Sequence, residues 1–550
     1  MKIIIKEFDV FISFNYNQEI IEKIKQIPSK SWDPNKKQWW LPKIFLQQFL
    51  DSIKGYPYEI VEYKKPINKV KADTFKFKTK PFQHQLDCFE WAKERERFLL
   101  GDEQGLGKTK QSIDVAVYRK LAYNVQHCLI VCGIKTLIYN WENEIKTHSY
   151  EESCILGARQ QKRTGRTVYE GTKEKIQDLQ DIDNLPYFLI INVEALRTKE
   201  ITNKLKELIK LGKIGMIIFD EFHKVKNSES LQGKAILELN TPNKIACTGT
   251  PLMNSPLDLY PVLYWIGIEK HNFYQFRNYY CVLNNYKAVI GYKHQKELNL
   301  KLETIMLRRK KDEVLDLPPK IYTTEYLEMS NEQWGIYNEI KNDIVENIDK
   351  VNIKSLSGFT ELIRLRQATA FTGILSENIR VSVKYDRVFD YLEEVVLNNG
   401  KLIIFSLWKE VINPLYKVLE AEGYNPAIIS GDVKPEERKI QETKFMYDDS
   451  CKVILGTMAS MGTGLTLTAA NTVIFLDEPW NKATKEQCED RTHRIGTKGA
   501  VSIITLIAKD TVDEGVHDVV YVKGLLSDAV VDGEIKGKNS AEIMKMLLRL

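Results

Sequence analysis

Several features that would place this protein in a familiar class are absent from its sequence. No apolar run is long enough to cross a membrane, and charged residues interrupt the amino terminus, MKIIIKEFDV, too early for a signal peptide. The 8 cysteines and 8 histidines form no Cys-x-x-Cys pair and no zinc-like spacing. These absences exclude a disulfide-framework domain and a zinc finger. We expect reduced, buried thiols, a reducing compartment and no membrane partner.

A large excess of one charge is also absent. Lysine and arginine total 79 against 74 aspartate and glutamate, which leaves a net charge of +5. This excess is too small to indicate a polyanionic partner, so any nucleic-acid surface must be local. The length of 550 residues favours a protein of about two to four domains with enough apolar residues for several cores.

The stretch from Phe98 to Thr109, FLLGDEQGLGKT, predicts a strand, a glycine-rich loop and the start of a helix. Backbone N–H groups that converge at a helix N-terminus match the clustered charge of ATP. Gly105 and Gly107 give the loop conformational freedom. Lys108 can reach the β- and γ-phosphates, and the Thr109 hydroxyl can ligate Mg²⁺. Asp102 stands where the general pattern G-x-x-x-x-G-K-[ST] has glycine, so a glycine-rich turn without phosphate remains the alternative.

Apolar runs alternate with helix-like segments from Pro81 onward, a pattern typical of parallel sheets covered by helices. The first set of predicted strands lies at 98–100, 128–132, 188–191, 216–219 and 244–247. A second set, KLIIF, PAIIS, KVILG, TVIFL and VSIITLI, lies between Lys401 and Ile507. The fold class is therefore α/β, with two parallel-sheet lobes and a mostly helical stretch between them.

The predicted domain boundaries follow these changes of pattern. They give a small α+β module at 1–63, an exposed Lys-rich linker at 64–80, lobe 1 at 81–253, a helical insertion at 254–383, lobe 2 at 384–520 and a C-terminal helical segment at 521–550. In the module, Trp32, Trp39 and Trp40 either stack on nucleic-acid bases or form its core. We favour the core for Trp32 and for one of the other two.

Acidic residues follow the predicted strand at 216–219. Ligands of open α/β sheets bind at the carboxyl ends of the strands, which is where Asp220 and Glu221 lie. Asp220 can hold the magnesium ion that Thr109 also contacts, and Glu221 can polarise the attacking water. His223 follows one turn later. A solvated acidic loop end is the alternative.

Together these segments resemble a superfamily-two helicase-type motor, specifically the Swi/Snf family of DNA-dependent ATPases. Ordered matches carry the resemblance: HQLDCFEWA, GDEQGLGKT, LIVCGIKTLIYNWENEI, IINVEALR, DEFHKVKN, CTGTPLMN, LRRKKDEVLDLPPK, KLIIFSLW, ISGDVKPEERKIQETKF, SMGTGLTLTAANTVIFLDEPWN and QCEDRTHRIGT. The family tolerates an acidic residue near Asp102. It usually has proline at Gly133, and Ala459, Met461 and Thr497 also depart from its pattern. The resemblance implies two RecA-like lobes.

The resemblance also implies the roles of further residues. Gln85 resembles the adenine-reading glutamine, and Arg491 and Arg494 resemble arginine fingers that act when the lobes close, with Gln487 one turn earlier. Phosphoryl transfer needs positive charge beyond that of Lys108 and the metal, which supports this assignment. The residues expected to couple ATP turnover to the nucleic acid are His223, Thr248, Thr250, Gly462 and Gly464. A solvated helix face is the alternative for the two arginines.

In the same family a DNA strand runs across both lobes and is held through its phosphates, so no sequence specificity is expected. The corresponding candidates are Lys135, Thr136, Gly431, Thr457, Trp480 and Asn481. The segment FISFNYNQEIIEKIKQIPSKSWDPNKKQWWLP is similar to the HARP-type module of annealing helicases, which supports recognition of branched DNA. Lys36, Lys37 and Trp40 are its candidate DNA contacts.

The leading hypothesis is an ATP-dependent translocase on double-stranded DNA that remodels or reanneals branched or forked DNA without processive strand separation. The alternative is a remodeller that displaces a DNA-bound protein complex such as RNA polymerase. An ATP-switched binding module without turnover is disfavoured because Lys108, Asp220, Glu221 and both arginines are present. We expect ATP and Mg²⁺ as cofactors and a monomer. It is expected in the cytoplasm of a bacterial or phage-infected cell, or in the nucleus of a eukaryote.

Overall fold

The computed structural model describes residues 1–134, 137–160, 167–169, 171–249, 256–346, 356–462, 465–480, 482–494, 496–497, 499–518 and 547–548. The chain divides into two compact units, Met1–Val314 and Leu315–Leu550. The boundary falls inside the predicted helical insertion at 254–383, so its two halves belong to different units. Nearly all of the predicted C-terminal segment at 521–550 lies outside the described residues.

The first unit begins with a small module built on a five-stranded sheet of order β3-β4-β2-β1-β5. Two helices cover one face of the sheet, where alternate residues such as Ile3, Ile5, Val10 and Ile12 are buried. Its elements are β1 (Lys2–Lys6), β2 (Asp9–Ser13), α1 (Gln18–Gln26), β3 (Ser31–Asp33), β4 (Gln38–Pro42), α2 (Leu46–Ser52) and β5 (Glu59–Glu62). Asn17 caps the N-terminus of α1 by accepting a hydrogen bond from the Ile20 amide.

The segment predicted as an exposed linker packs against the first unit. Its helix α3 (Lys69–Ala72) is followed by Phe75, whose ring stacks on Phe89 at a centroid distance of 4.9 Å, and by Phe77 at 5.0 Å from the same ring. Lys78 Nζ donates hydrogen bonds to the carbonyl oxygens of Lys146 and Ser149. Phe75 and Phe77 thus attach this Lys-rich segment to unit 1, and the segment is not a free linker.

Lobe 1 is a seven-stranded parallel sheet of order β16-β6-β13-β12-β7-β11-β8. Both faces are covered: on β7, Leu129 and Val131 face one core, whereas Cys128, Ile130 and Cys132 face the other. The strands of unit 1 are β6 (Arg97–Leu100), β7 (His127–Cys132), β8 (Ser153–Ile155), β9 (Ala158–Gln160), β10 (Thr167–Tyr169), β11 (Phe188–Asn192), β12 (Ile214–Asp220), β13 (Asn243–Cys247), β14 (Cys281–Leu283), β15 (Val289–Tyr292) and β16 (Met306–Leu307).

Helices of unit 1 surround this sheet and extend beyond it. They are α4 (Gln83–Ala92), α5 (Lys108–Tyr123), α6 (Leu137–His148), α7 (Thr172–Gln180), α8 (Lys199–Lys210), α9 (Leu231–Glu238), α10 (Tyr260–Ile266), α11 (Phe273–Tyr280), α12 (Gln295–Ile305) and α13 (Lys311–Val314). Short 3₁₀ helices lie at Lys43–Phe45, Ile182–Asn184, Val193–Arg197, Phe222–Val225 and Pro256–Leu259. β14 and β15 form an antiparallel hairpin between α11 and α12.

Unit 2 contains a six-stranded parallel sheet of order β17-β22-β21-β18-β20-β19. Its elements are β17 (Lys320–Leu327), α14 (Asn331–Glu346), α15 (Leu356–Ala370), α16 (Val383–Leu397), β18 (Leu402–Ser406), α17 (Lys409–Ala421), β19 (Ala427–Ile429), α18 (Pro435–Tyr447), β20 (Val453–Thr457), α19 (Met458–Met461), β21 (Thr472–Phe475), α20 (Lys482–Glu489), β22 (Val501–Ala508) and α21 (Val512–His517); a 3₁₀ helix lies at Thr372–Ile374.

The predicted α/β class and every predicted strand of both lobes are confirmed, whereas the intervening stretch is not purely helical. β16 and the eight-residue β17 lie in it, each at the edge of a sheet. Five of the eight residues of β17 are exposed, including Tyr322, so it lacks the continuous apolar run of a buried strand. Edge position is therefore the physical reason that the sequence pattern did not reveal it.

All eight cysteines are free thiols, and seven of them are buried. Burial raises the pKa of each thiol above its ordinary value, to about 12 for the half-buried Cys154. This agrees with the expected reduced, buried cysteines. In the described part of the chain, no helix combines the length and apolar character needed to cross a membrane.

Buried ionic contacts attach the module to lobe 1 within unit 1. Arg97, the first residue of β6, donates to Asp9 of the module through Nη2 at 2.6 Å. Elsewhere the fully buried Lys301 on α12 donates from Nζ to Glu269 Oε2 at 2.9 Å, to the Tyr280 hydroxyl at 3.0 Å and to the Ser29 hydroxyl of the module. The module is therefore attached both to lobe 1 and to the helices that follow it in unit 1.

The carboxylate of Glu269 depends on these contacts. Burial alone would raise its pKa, but hydrogen bonding from His271 and the charge of Lys301 outweigh burial and lower the pKa from 4.5 to about 2. A group with a depressed pKa stabilises the folded state above its unfolded pKa. That stabilisation is lost as the pH falls from about 4.5 to about 2.

We expect Lys301→Met to lower the free energy of unfolding by about 3–5 kcal/mol at pH 7, because it leaves Glu269 buried without its lysine partner. The loss relative to wild type should shrink as the pH falls from 4.5 toward 2, because protonation of Glu269 progressively removes the charge that Lys301 stabilises. Urea unfolding followed by tryptophan fluorescence measures both effects. Lys296→Met on the same helix, where the lysine is exposed, is the control. Equal effects of the two substitutions would contradict the assigned role of Lys301.

Candidate active site

The candidate phosphate loop, residues 101–107, joins the buried strand β6 to helix α5. Gly105 and Gly107 have φ angles of 88° and 78°, in the left-handed region that favours glycine. A Cβ atom at Gly107 would also lie 2.4 Å from Gln85 Nε2. Both glycines are therefore required by the conformation, and the loop ends where α5 presents its first N–H groups.

Gln85 lies beside this loop on α4. Its Oε1 accepts a hydrogen bond from the Phe82 amide at 3.1 Å, and its Nε2 lies 3.4 Å from the Leu106 carbonyl oxygen. The neighbouring His84 places Nε2 at 3.0 Å from the same oxygen. Both side chains are buried, so the start of α4 and the phosphate loop form one packed structure.

Asp102 replaces the first glycine of the general pattern, and the structure gives its side chain a structural role. Its carboxylate is fully buried and accepts hydrogen bonds from Arg309 Nε at 3.1 Å and from Gln111 Nε2 at 3.2 Å. Its own carbonyl oxygen accepts from Lys108 Nζ at 2.9 Å. Asp102 is thus an internal support of the loop.

Asp220 ends strand β12, two strands away from β6 in the sheet. Trp141 Nε1 donates to Asp220 Oδ2 at 2.8 Å, and the Glu221 amide donates to Oδ1 at 3.0 Å. Burial and the neighbouring charge of Glu221 raise the pKa of Asp220 to about 6, although Trp141 and Lys108 partly oppose this. The site therefore concentrates negative charge that a cation would stabilise.

Glu221, His223 and Thr248 form a contact chain at the ends of two adjacent strands. Glu221 has a φ angle of 55°, a left-handed backbone conformation that costs a residue other than glycine about 1–3 kcal/mol and that occurs often at active sites. His223 Nδ1 lies 3.2 Å from Glu221 Oε2 and 3.3 Å from the Thr248 hydroxyl oxygen. The sequence predicts water activation by Glu221 and coupling by His223 and Thr248, and in the structure His223 contacts both of the other residues.

Gly133, at the end of β7, contacts the backbone of the acidic pair. Its amide donates to the Asp220 carbonyl oxygen at 2.9 Å. Proline, the residue usual in the family at this position, has no N–H and could not make this bond. This departure from the family pattern is thus accompanied by an added contact to Asp220.

In unit 2, the two predicted arginines converge on one loop. Arg491 Nη1 and Arg494 Nη1 donate to the same carbonyl oxygen, that of Leu465, at 3.3 and 3.2 Å. Arg491 Nε also donates to the Gln487 carbonyl oxygen at 3.1 Å. Gly462 lies near this loop, and a Cβ there would lie 2.5 Å from the Met458 carbonyl oxygen. The i, i+3 spacing does direct both guanidinium groups to one side.

The candidate DNA contacts of the lobes differ in accessibility. Gly431 is exposed and has open space around it. Thr457 is buried, and its hydroxyl accepts a hydrogen bond from the Ser460 amide as the N-cap of α19. Trp480 is half-buried, and the Arg366 guanidinium lies 4.5 Å from its ring centroid. The remaining candidates lie outside the described residues: Lys135, Thr136, Asn481 and, among the coupling residues, Thr250 and Gly464.

The structure corrects the assignment of the module's tryptophans. Trp40 is only 2% exposed, donates from Nε1 to Asp9 Oδ1 at 2.7 Å and has Lys270 Nζ 4.2 Å from its ring centroid. It is a core residue and its ring is not accessible to a base. Trp32, favoured for the core by the sequence, is 45% exposed. Its ring lies 5.2 Å from that of Trp39 across the β3–β4 hairpin.

Sequence reasoning missed two residues that orient this site, Trp141 and Arg309. Both lie in segments that carried the family resemblance, but each acts on a residue far away in the chain: Trp141 on Asp220, and Arg309 on Asp102. Spacing between neighbouring residues contains no signal for such contacts. Arg309 is one of four consecutive basic residues at 308–311, and Trp141 lies in a helix of mixed polarity, so neither stood out from its neighbours in the sequence.

Comparison with protein families finds three matches that follow one another along the chain. The HepA-related protein (HARP) family matches residues 8–42, the SNF2-related domain matches residues 84–374, and the helicase conserved C-terminal domain matches residues 384–496. The first match lies in the N-terminal module, and the second contains the phosphate loop, Asp220 and Arg309.

The chain is 28% identical over 480 residues to the chromodomain-helicase-DNA-binding protein 1-like of Danio rerio. The match covers 82% of this chain but 44% of that protein. The chain therefore spans less than half the length of that relative. It is 26% identical over 546 residues to the SWI/SNF-related matrix-associated actin-dependent regulator of chromatin subfamily A-like protein 1 homolog of Caenorhabditis elegans, covering 93% of this chain and 73% of that protein.

Among solved structures, the Sulfolobus solfataricus SWI2/SNF2 ATPase core in complex with dsDNA is 23% identical, with a TM-score of 0.38, and the match covers 86% of this chain and 98% of that one. The SNF2-related domain by itself occupies more than half of the present chain. The resemblance drawn from the sequence motifs is confirmed, and the protein belongs to the SNF2-related family, with a helicase C-terminal domain and a HARP domain.

Proposed function

We propose that this protein is a DNA-dependent ATPase that translocates on double-stranded DNA and remodels or reanneals branched or forked DNA without processive strand separation. The observation that carries the proposal is the arrangement in lobe 1: a phosphate loop with Lys108, and the carboxylates of Asp220 and Glu221 at the end of a nearby parallel strand. Family membership supports ATP as the substrate of this arrangement.

Each residue of lobe 1 has a role in ATP hydrolysis that its surroundings support. The α5 N-terminus and Lys108 bind the phosphates, and Gln85 contacts the adenine. Glu221 orients and polarises the attacking water, and its backbone conformation and its contact with His223 fix its carboxylate. Trp141 orients Asp220 by binding one carboxylate oxygen.

Asp220 and the Thr109 hydroxyl are the residues that would hold a magnesium ion. The raised pKa of Asp220 fits this role, because a divalent cation would relieve the repulsion between Asp220 and Glu221. When bound, the ion neutralises charge that develops on the transferred phosphoryl group. The protein's own contribution is to keep both carboxylates oriented in a mostly buried site.

In unit 2, Arg491 and Arg494 act as arginine fingers that stabilise the transition state, with Gln487 contributing from the preceding turn. Their shared contact with the Leu465 carbonyl oxygen keeps the two guanidinium groups together. His223 and Thr248 in lobe 1, together with Gly462 in unit 2, couple turnover to movement on DNA. The contact between His223 and Thr248 supports this role in lobe 1.

Double-stranded DNA is the proposed track, held through its phosphates without sequence preference. Gly431 and Trp480 in unit 2 remain candidates for such contacts because they are exposed or half-exposed. Recognition of a fork is assigned to the β3–β4 hairpin of the module. There the Trp32 and Trp39 rings provide partly exposed stacking surface, and the exposed Lys36 and Lys37 provide positive charge at the turn.

The alternative function is an ATP-driven remodeller that displaces a DNA-bound protein complex such as RNA polymerase. The relative from Caenorhabditis elegans is named as a regulator of chromatin, which favours a protein client on DNA. ATPase stimulation by bare forked DNA supports the leading proposal, whereas a requirement for a protein client supports the alternative. A monomer in a reducing cytoplasm, or in a nucleus, remains our prediction.

Lys108→Ala and Glu221→Gln should each lower ATP turnover by roughly 10²–10³-fold or more, because each removes a group that acts on the transferred phosphoryl group or its water. DNA binding should be retained, since neither residue is assigned to the DNA surface. Steady-state phosphate release with duplex DNA measures turnover, and fluorescence anisotropy measures DNA binding. Glu207→Gln, on the outer helix α8, is the control. Near-normal turnover of Glu221→Gln would refute the catalytic assignment.

Arg491→Ala and Arg494→Ala should slow turnover by roughly 10³-fold or more while changing ATP affinity much less, because arginine fingers act on transition-state charge. Single-turnover kinetics and equilibrium binding of a fluorescent ATP analogue separate the two quantities. Thermal unfolding should accompany them, because both arginines also bond to the loop at Leu465. Arg380→Ala, at an exposed position of unit 2, is the control. A loss confined to affinity would show that the pair are not fingers.

Charge reversal of Lys36 and Lys37, and separately Trp32→Ala, should reduce the preference for forked over plain duplex DNA while duplex-stimulated ATPase survives. The lysine effect should be largest at low salt, whereas the tryptophan effect should persist at all salt concentrations. Reversal of the exposed Lys25 and Lys54, elsewhere on the module, is the matched control. Point variants are preferable to deleting the module, because deletion removes Asp9 and Ser29 from their partners Arg97 and Lys301 in the rest of unit 1. Unchanged fork preference in both variants would refute the assignment.

A further inference from the structure

Arg309 binds the side chain of Asp102, near the start of the phosphate loop. Its Nε and its backbone amide each donate to Asp102 Oδ1 at 3.1 Å, and its Nη2 donates to Asp102 Oδ2. The Asp102 carboxylate is fully buried, and the Arg309 side chain is only 14% exposed. A bidentate, charge-assisted contact of this kind fixes both the distance and the orientation of the two groups.

The same guanidinium joins two further parts of the nucleotide site. Nη1 donates to the carbonyl oxygen of His84, next to Gln85, and Nη2 lies 3.4 Å from Gln111 Oε1 on α5. Gln111 in turn donates from Nε2 to the Leu106 carbonyl oxygen at 2.9 Å. One side chain therefore connects the adenine-side helix, the phosphate loop and the helix that follows the loop.

Further hydrogen bonds of the main chain join the segment around Arg309 to the first residues of the loop. The Gly101 amide donates to the Leu307 carbonyl oxygen at 2.7 Å, and the Glu103 amide donates to that of Arg309 at 3.0 Å. The Lys311 amide donates to Glu103 Oε2 at 2.7 Å. Residues 307–311 thus run beside residues 101–103 and bond to their backbone and to the Glu103 side chain.

We propose that Arg309 is a positioning residue for ATP, which rests on the proposed ATPase function. Arg309 holds Asp102 and Glu103, and the carbonyl oxygens of those two residues accept hydrogen bonds from Lys108 Nζ at 2.9 and 3.3 Å. The position of the phosphate-binding lysine therefore depends on a residue that does not itself contact the phosphates. The chain leaves unit 1 at Val314, shortly after Arg309, so the end of this unit is fastened to the phosphate loop.

Lysine cannot replace this arginine. An ammonium group can pair with Asp102, but it lacks the planar fork that also reaches His84 and Gln111. Arg309→Lys therefore separates charge from geometry, because it keeps the positive charge beside Asp102 and removes the contacts to the flanking helices. If Arg309 had a structural role alone, Arg309→Lys would leave the affinity for ATP and the kcat/KM for ATP unchanged.

The experiment compares Arg309→Lys, Arg309→Met and the double variant Asp102→Asn/Arg309→Met in the full-length protein. Lys310→Met, at the exposed neighbouring position, is the control. Three quantities are measured: the melting temperature, the equilibrium affinity for a fluorescent ATP analogue, and kcat and KM for ATP with duplex DNA. The double variant removes the unpaired buried carboxylate that Arg309→Met leaves behind.

We expect Arg309→Met to lower both the melting temperature and, by roughly 10²-fold, kcat/KM for ATP, because small displacements in an active site are costly. The double variant should recover most of the melting temperature but not the ATP affinity or kcat/KM. Arg309→Lys should melt near the wild-type temperature and still lose roughly tenfold or more in kcat/KM, because it loses the fork contacts.

Two results would overturn the proposal. The first is recovery of ATP affinity in the double variant together with its stability, which would make the role of Arg309 structural only. The second is a normal kcat/KM and a normal ATP affinity in Arg309→Lys. If wild-type protein does not hydrolyse ATP, the proposed function fails instead. The affinity for the ATP analogue across the same variants then still decides the role of Arg309.

Discussion

Buried charge must be paired, and in the first unit this requirement connects parts of the chain that are far apart in sequence. Three buried carboxylates have cationic partners that lie more than thirty residues away in the sequence: Asp9 pairs with Arg97, Asp102 with Arg309, and Glu269 with Lys301. An unpaired buried ion costs several kcal/mol, so each pair restricts how its two segments can be arranged. The module, the phosphate loop and the helices after lobe 1 are thereby joined into one unit.

The parallel sheet explains why the catalytic candidates of lobe 1 meet. Strands β6, β13, β12 and β7 are neighbours and all point the same way, so the residues that follow them gather at one edge. The phosphate loop, Thr248 and Gly133 each follow one of these strands, and Asp220 is the last residue of β12. Contacts between these loops, such as His223 with Thr248 and Gly133 with Asp220, then fix the relative positions of side chains that no single strand could determine.

The buried strands of lobe 1 could be predicted from the sequence, because strands covered on both faces require continuous apolar runs. The runs that became β7 and β12 are of this kind, and the phosphate loop follows from its glycines and lysine. Features that depend on distant partners could not be predicted. Trp40 is buried because Asp9 and Lys270 cover it, whereas Trp32 lies on an edge strand and stays exposed. Composition alone cannot separate two such tryptophans.

The same limit applies to the segment at 64–80. Its many lysines indicated an exposed linker, but two phenylalanines with partners on α4 and α5 decide its position. Edge strand β17 was missed because five of its eight residues are exposed. In both segments, the local sequence indicated how polar the segment is on average. A few contacts with distant residues determined where it lies in the fold.

The burial of the cysteines has a practical consequence for chemical labelling. Maleimides react with exposed thiolates, whereas every native thiol here has a raised pKa and seven of the eight are enclosed. A single cysteine introduced at the exposed turn of the β3–β4 hairpin would therefore be the preferred site of modification in the folded protein, with Cys154 the native thiol to replace first. A dye attached there would report on the surroundings of the hairpin without a fully cysteine-free background.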